Sequence, residues 1–212
     1  MINKIIKNAH EEPIKKVIYR LNEDLISCSY DNTIKIWKNN NNNVYECMVT
    51  LIHFEHINSI LFLEDKKLLI SSGVDGTKFW DLSKDNYNEI YCIIHFENTL
   101  CGWHNALCRI DDDNIIIGGK NDGIMKIISI SKKEIIKEIN NSFKCWGIYV
   151  IEDKGIFLVG GKSKDIKIYR RDNYECVQII KDAHNDEING FIELKDYSIV
   201  SYSKDQMIKI WK

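Results

Sequence analysis

Apolar and polar positions alternate in short runs along this chain, and one run returns five times. Ser27–Trp37 reads SCSYDNTIKIW, Ser71–Trp80 reads SSGVDGTKFW and Gly118–Ile128 reads GGKNDGIMKII. Val159–Tyr169 reads VGGKSKDIKIY and Ser201–Trp211 reads SYSKDQMIKIW. Small residues, a polar turn, then alternation closing on a bulky side chain predict a β-hairpin, because successive strand side chains point to opposite faces. The closing residues stand at 37, 80, 128, 169 and 211, in steps of 43, 48, 41 and 42. A period of this size means stacked supersecondary units, none able to bury its apolar face alone. No stretch carries helical periodicity.

Two further strand-like runs precede each hairpin, so every unit supplies four strands. The first unit has Ile2–Lys7, Ile14–Leu21, Leu25–Ser29 and Thr33–Trp37. The predicted units are 1–38, 44–82, 89–130, 134–170 and 174–212, one all-β domain over 1–212. Asp and Asn supply the turns by bonding their own backbone, and the chain has one proline. The five asparagines Asn39–Asn43 read as a solvated connection without core-forming capacity.

Composition narrows the picture. Hydrophobic residues are 44% and charged residues 28% of 212, the balance of a globular chain. The net charge of −2 and sequence pI of about 6.3 argue against a dedicated nucleic-acid binder, which carries a basic footprint. The opening MINKIIKNAH lacks a signal-peptide core, and no apolar run approaches a membrane span, so the expected location is cytoplasmic or nuclear. Of seven cysteines, Cys47, Cys92 and Cys176 recur at one place in three units and are expected to be core thiols.

Three units share a longer constellation: a His, sixteen or seventeen intervening residues, Ser, Asp four later, then Trp five or six later. These are His10–Ser27–Asp31–Trp37, His53–Ser71–Asp75–Trp80 and His184–Ser201–Asp205–Trp211. On these residues the chain resembles the WD-repeat β-propellers across essentially its whole length. The resemblance implies four-stranded antiparallel blades, each tied by a buried His–Ser–Asp–Trp hydrogen-bond tetrad. It also implies a non-catalytic scaffold that binds a peptide or protein partner on one face of the disc. Departures are present. Ala9 and Ala183 replace the usual glycine before His, and the third unit keeps His95 and Asp122 but has Gly118 and Ile128 for Ser and Trp. The fourth has Ser142, Ser163 and Tyr169 for His, Asp and Trp.

Ring closure stays open at this level. The leading strand Ile2–Lys7 could complete the last blade and remove its exposed edge. An open array completed by another chain, acting as an assembly subunit prone to self-association, has the same strand count.

No residues point to chemistry. A hydrolase triad is drawn from Asp, His and Ser three times over at the repeat spacing, which fits a structural role rather than catalysis. Cys101, His104 and Cys108 lack a fourth metal ligand, and Asp111, Asp112 and Asp113 mark a hairpin turn. No phosphate loop or cofactor motif appears, and an enzyme on a propeller scaffold is the remote alternative. What remains is surface. The residues before the turn Asp are Tyr30, Val74, Asn121, Lys162 and Lys204, and the first-strand starts add Glu12, His56, Trp103, His104 and Trp146. These ten form the expected partner-binding face. The stretch from His95 to Trp103 is four residues longer than its counterparts, an enlarged aromatic loop suited to docking. Trp103 and Trp146 align with Ile14, Ile57 and Ile188, leaving core and surface readings of both rings open.

Overall fold

The computed structural model describes residues 5–40, 44–84, 90–97, 106–119 and 123–212, and it is built from antiparallel sheets. Two compact units divide the chain, Met1–Asn98 and Thr99–Lys212. In the first, β1 (Ile14–Tyr19), β2 (Leu25–Ser29), β3 (Thr33–Asn39) and β4 (Tyr45–Ile52) form one sheet in chain order. A second sheet holds β5 (Ile57–Leu63), β6 (Leu68–Gly73), β7 (Thr77–Asp81) and β8 (Cys92–Phe96).

The second unit begins with β9 (Leu107–Arg109), β10 (Asn114–Ile117), β11 (Ile124–Ser129) and β12 (Glu134–Asn140). Its next sheet comprises β13 (Cys145–Ile151), β14 (Ile156–Gly161), β15 (Ile166–Arg170) and β16 (Cys176–Ile180). The last has three strands, β17 (Ile188–Glu193), β18 (Ile199–Ser203) and β19 (Ile208–Trp211). Of the leading strand expected at Ile2–Lys7, positions 1–4 lie outside the described residues and Ile5–Lys7 carries no strand.

Sequence repeat and sheet are offset by one strand, since β4 opens the second repeat but closes the first sheet. Stacked apolar faces supply the cores. In the first unit, Ile26, Ile34 and Ile36 pack with Ile57, Ile60, Leu69 and Trp80 of the neighbouring sheet. In the second, Leu158 and Ile166 pack with Ile188, Phe191 and Ile199. Each of these sheets is one layer of a stack, and burying its face drives the stacking.

Two β-bulges recur at fixed places, each inserting one extra residue into its strand. On the first strand of four sheets the extra residue is Lys15, Asn58, Trp146 or Asn189. On the fourth strand it is Met48, Ile93, Ile136 or Val177, beside the residue that closes each hairpin. The second bulge corrects the expectation of core thiols. Cys47, Cys92 and Cys176 lie on outer strands facing Trp37, Trp80 and Tyr169 across that bulge, and all three are exposed. Their Sγ atoms instead point to the carbonyls of Val49, Ile94 and Gln178, two residues on.

Candidate functional site

Three histidines reach from the segment before a sheet into that sheet's hairpin. His53 Nδ1 lies 2.6 Å from Asp75 Oδ1, its Nε2 lies 2.6 Å from Ser71 Oγ, and Trp80 Nε1–H donates to the same hydroxyl at 2.8 Å. The His10 set repeats this at 2.7, 2.7 and 2.8 Å, and the His184 set at 2.9, 2.7 and 2.9 Å. An indole N–H only donates and a carboxylate only accepts, so with Nδ1–H on the carboxylate each serine oxygen accepts from the indole while its O–H donates to Nε2. The direction of the whole chain is thereby fixed. The aspartates also take backbone N–H groups, from Glu11 and Thr33 for Asp31, Phe54 for Asp75, and Asn185 and Met207 for Asp205.

These groups link neighbouring sheets. The His53 N–H donates to Asn32 O in the preceding sheet's turn while its ring enters the next sheet. His184 does the same with Lys164 O. A lysine missed in the sequence strengthens each connection. Lys35, Lys78, Lys167 and Lys209, the Lys before each closing Ile or Phe, donate to the carbonyls of Ala9, Ile52, Asn141 and Ala183, always 26 residues back. The constant spacing and the repeated Lys were the signal.

Electrostatics follow from burial. Desolvation pushes the His53 imidazole down to about 4, against the pull of Asp75, so the ring is neutral at physiological pH. Burial would raise Asp31, but hydrogen bonds from Thr33, the Glu11 N–H and His10 hold it at about 2. Asp75 and Asp205 are lowered in the same way, burial being outweighed by the ring and N–H donors.

In the fourth repeat the serine's place is taken by buried Val159, opposite Lys167 as Ser27 is opposite Lys35. Tyr169 compensates: its hydroxyl reaches past the missing serine to Asn141 Oδ1 at 2.8 Å. Asn141 is fully buried and its N–H donates to Gly123 O, so it, not Ser142, fills the histidine's role. Ser142 is exposed at φ 68°. The same one-residue shift relocates Trp146. Cys145, fully buried, aligns with Ile57 and Ile188, and Trp146 is the bulged residue. In the third repeat the ladder sets Ile117, not Gly118, opposite Lys126. His95 lies within β8, opposite Lys78, and bonds the Asp75 carbonyl, so it does not take the place in the third repeat that His53 takes in the second. Asp122 lies outside the described residues.

Of the ten expected face residues, Trp103, His104 and Asn121 lie outside the described residues, as does most of the enlarged loop. In the first unit, His56 Nδ1 bonds Tyr30 O at 2.6 Å and the two rings lie 5.0 Å apart. Val74 N–H bonds His56 O, and Glu12 O accepts from Ser29. In the second unit, Lys204 Nζ sits 4.7 Å from the Trp146 ring centroid and pairs with Glu187. Lys162 is exposed, its N–H bonded to Lys144 O. Elsewhere, Asp111 and Asp113 spend their oxygens on Asn114, Ser129 and Ser131. Among the described residues no group of three or more His, Cys, Asp or Glu could hold a metal ion, and Cys101 and His104 lie outside them.

The family model "WD domain, G-beta repeat" matches residues 3–38 and 45–81. Curated relatives are the U3 small nucleolar RNA-associated protein 15 homologs of Bos taurus, 20% identical over 84% of this chain, and Xenopus laevis, 22% identical over 71%. The chain spans 33% and 28% of their lengths. The solved WD40 β-propeller domain of Doa1 matches at TM-score 0.73 and 18% identity, covering 96% of this chain and 65% of that one. The fold is thus the WD40 β-propeller. Among the described residues no helix is long and apolar enough to cross a membrane.

Ser71→Ala strands the Trp80 N–H and the His53 ring nitrogen in a buried site. It is expected to cost about 1–3 kcal/mol in denaturant unfolding. The pH dependence follows from His53. The unfolded ring takes a proton near its ordinary 6.5 and the folded ring only near 4, so stability is complete above 6.5 and falls between 6.5 and about 4. Asp31 adds a further loss between 3.8 and about 2. Thermal melting is expected to drop from about pH 7 to about pH 4.5, and His53→Asn to flatten that segment.

Proposed function

Because the chain carries WD repeats in a β-propeller fold, we propose that it is a non-catalytic platform for a peptide or protein partner in a nuclear assembly. One observation carries the reading. His10, His53 and His184, the side chains best suited to acid–base work, are consumed in hydrogen-bond chains, whereas rings and cations outside those chains stand at the hairpin turns. Trp146 with Lys204, and Tyr30 with His56, are ring and polar pairs of the kind that anchor protein contacts. A bulge, rather than a ladder position, presents Trp146, and bulges re-aim side chains at working surfaces.

The nuclear part rests on the names of the curated relatives, which associate them with a small nucleolar RNA. With a net charge of −2, protein contacts within such an assembly fit this chain better than direct nucleic-acid binding. A Trp146→Ala, Lys204→Glu variant is expected to lose roughly 30-fold in affinity for partners recovered with the native chain, at unchanged melting temperature. Full retention of every recovered partner contradicts the placement of the site.

A further inference from the structure

In the first unit the cleft between stacked sheets, beside the turn after β1, is filled by the chain's own arginine. Arg20 follows the end of β1, is 7% exposed and reaches the second sheet. Its guanidinium lies 4.5 Å from the Phe62 ring centroid, with Nη1 3.7 Å from Asp24 and Nε 3.9 Å from Glu64. A planar guanidinium suits such a place, because it stacks on a ring while meeting carboxylates at its edge.

In the second unit the same place holds no arginine. Ladder register puts Ile151 where Arg20 stands and Glu193 where Phe62 stands. Ile151 has neither the reach nor the charge of an arginine, and a cleft of about 560 Å³ remains, within the roughly 300–1,000 Å³ of ligand sites. Tyr149 and Tyr197 line it with the carboxylates of Glu152, Asp153 and Glu193, against a single cation, Lys195. The Tyr149 O–H donates to Glu193 Oε2 at 3.1 Å. Burial and that carboxylate push the Tyr149 phenol up, so it stays a donor at neutral pH. The ion pairs of this unit engage Asp112, Glu138, Glu134, Asp205 and Glu187. Among the described residues none engages Glu152, Asp153 or Glu193. Glu193 is half-buried, and a partly desolvated carboxylate without a counter-charge is stabilised by an incoming cation.

We propose that this cleft receives an arginine side chain of a protein partner, in the place that Arg20 takes in the first unit. The guanidinium stacks on a tyrosine ring and pairs with Glu193, while Glu152 and Asp153 attract the basic segment that carries it. Trp146 stands near the start of β13 and the cleft lies at its other end, so the two surfaces are separate.

Proton–nitrogen NMR of the full chain tests this, titrated with the blocked peptide Gly-Arg-Gly-Arg-Gly and with its lysine counterpart. The arginine peptide is expected to give saturable shifts confined to the amides of 149–153 and 193–197, and the lysine peptide to bind less tightly. Glu193→Gln keeps an acceptor for the Tyr149 O–H and should weaken the arginine peptide about tenfold at unchanged melting temperature. Glu55→Gln removes the same charge from an exposed position in the first unit and should leave binding unchanged. The Trp146→Ala, Lys204→Glu variant should also bind the peptide as the native chain does, so this cleft and the turn surface stand or fall separately. Absence of saturable shifts in the cleft, equal binding of the lysine peptide, or full affinity in Glu193→Gln overturns the proposal. So does an equal loss in Glu55→Gln.

Discussion

A hydrogen-bonded chain of fixed direction, from indole to hydroxyl to imidazole to carboxylate, sets the geometry on which the sheets depend. Its members come from three separate places in each of the three repeats that carry it, and the histidine comes from outside the sheet it serves. Through its N–H the same residue holds the turn of the sheet before, as His53 does with Asn32. A sheet cannot slide on its neighbour without breaking a buried bond at either end, and a buried polar group left unpaired costs more than the bond contributes when made. Apolar burial supplies most of the favourable energy of stacking, but burial is non-directional. Register comes from the polar chain.

The fourth repeat shows what that constraint demands and what it tolerates. Val159 removes the hydroxyl, and a tryptophan there would leave its N–H without an acceptor. Tyr169 carries its own hydroxyl further and bonds Asn141 directly, so four groups are reduced to two and every buried donor is still used. The residues differ and the link between sheets is kept. The recurrent lysines serve the same connection, each holding a carbonyl of the loop that bears the histidine or its substitute.

Much of this was legible in the sequence because alternation, turn residues and the His–Ser–Asp–Trp spacing all repeat, and repetition separates design from accident. The five hairpins and the offset between repeat and sheet follow from it. What was not legible has two physical sources. The connection from Ile148 to its ladder partner Val159, like that from Ile60 to Ser71, is one residue longer than Val17 to Ser27 or Phe191 to Ser201, so counting along the chain slips by one. That slip aligned Trp146 with core isoleucines in place of Cys145 and chose Ser142 over Asn141. The second set of bulges, beside Trp37, Trp80 and Tyr169, sits where three cysteines appeared to be core residues and are exposed. The Trp103 loop lies outside the described residues, so the ring and polar pairs that can be described are Tyr30 with His56 in the first unit and Trp146 with Lys204 in the second.

Both ring nitrogens of His10, His53 and His184 are engaged within these chains. The central claim is the direction of the hydrogen-bond chain, which fixes one tautomer for three rings. Long-range proton–nitrogen NMR spectra of the histidine rings test it directly. The account predicts His53 neutral at about pH 7, protonated at Nδ1 and bare at Nε2, with a slowly exchanging Nδ1–H signal. Protonation at Nε2, or rapid exchange between tautomers, would contradict it.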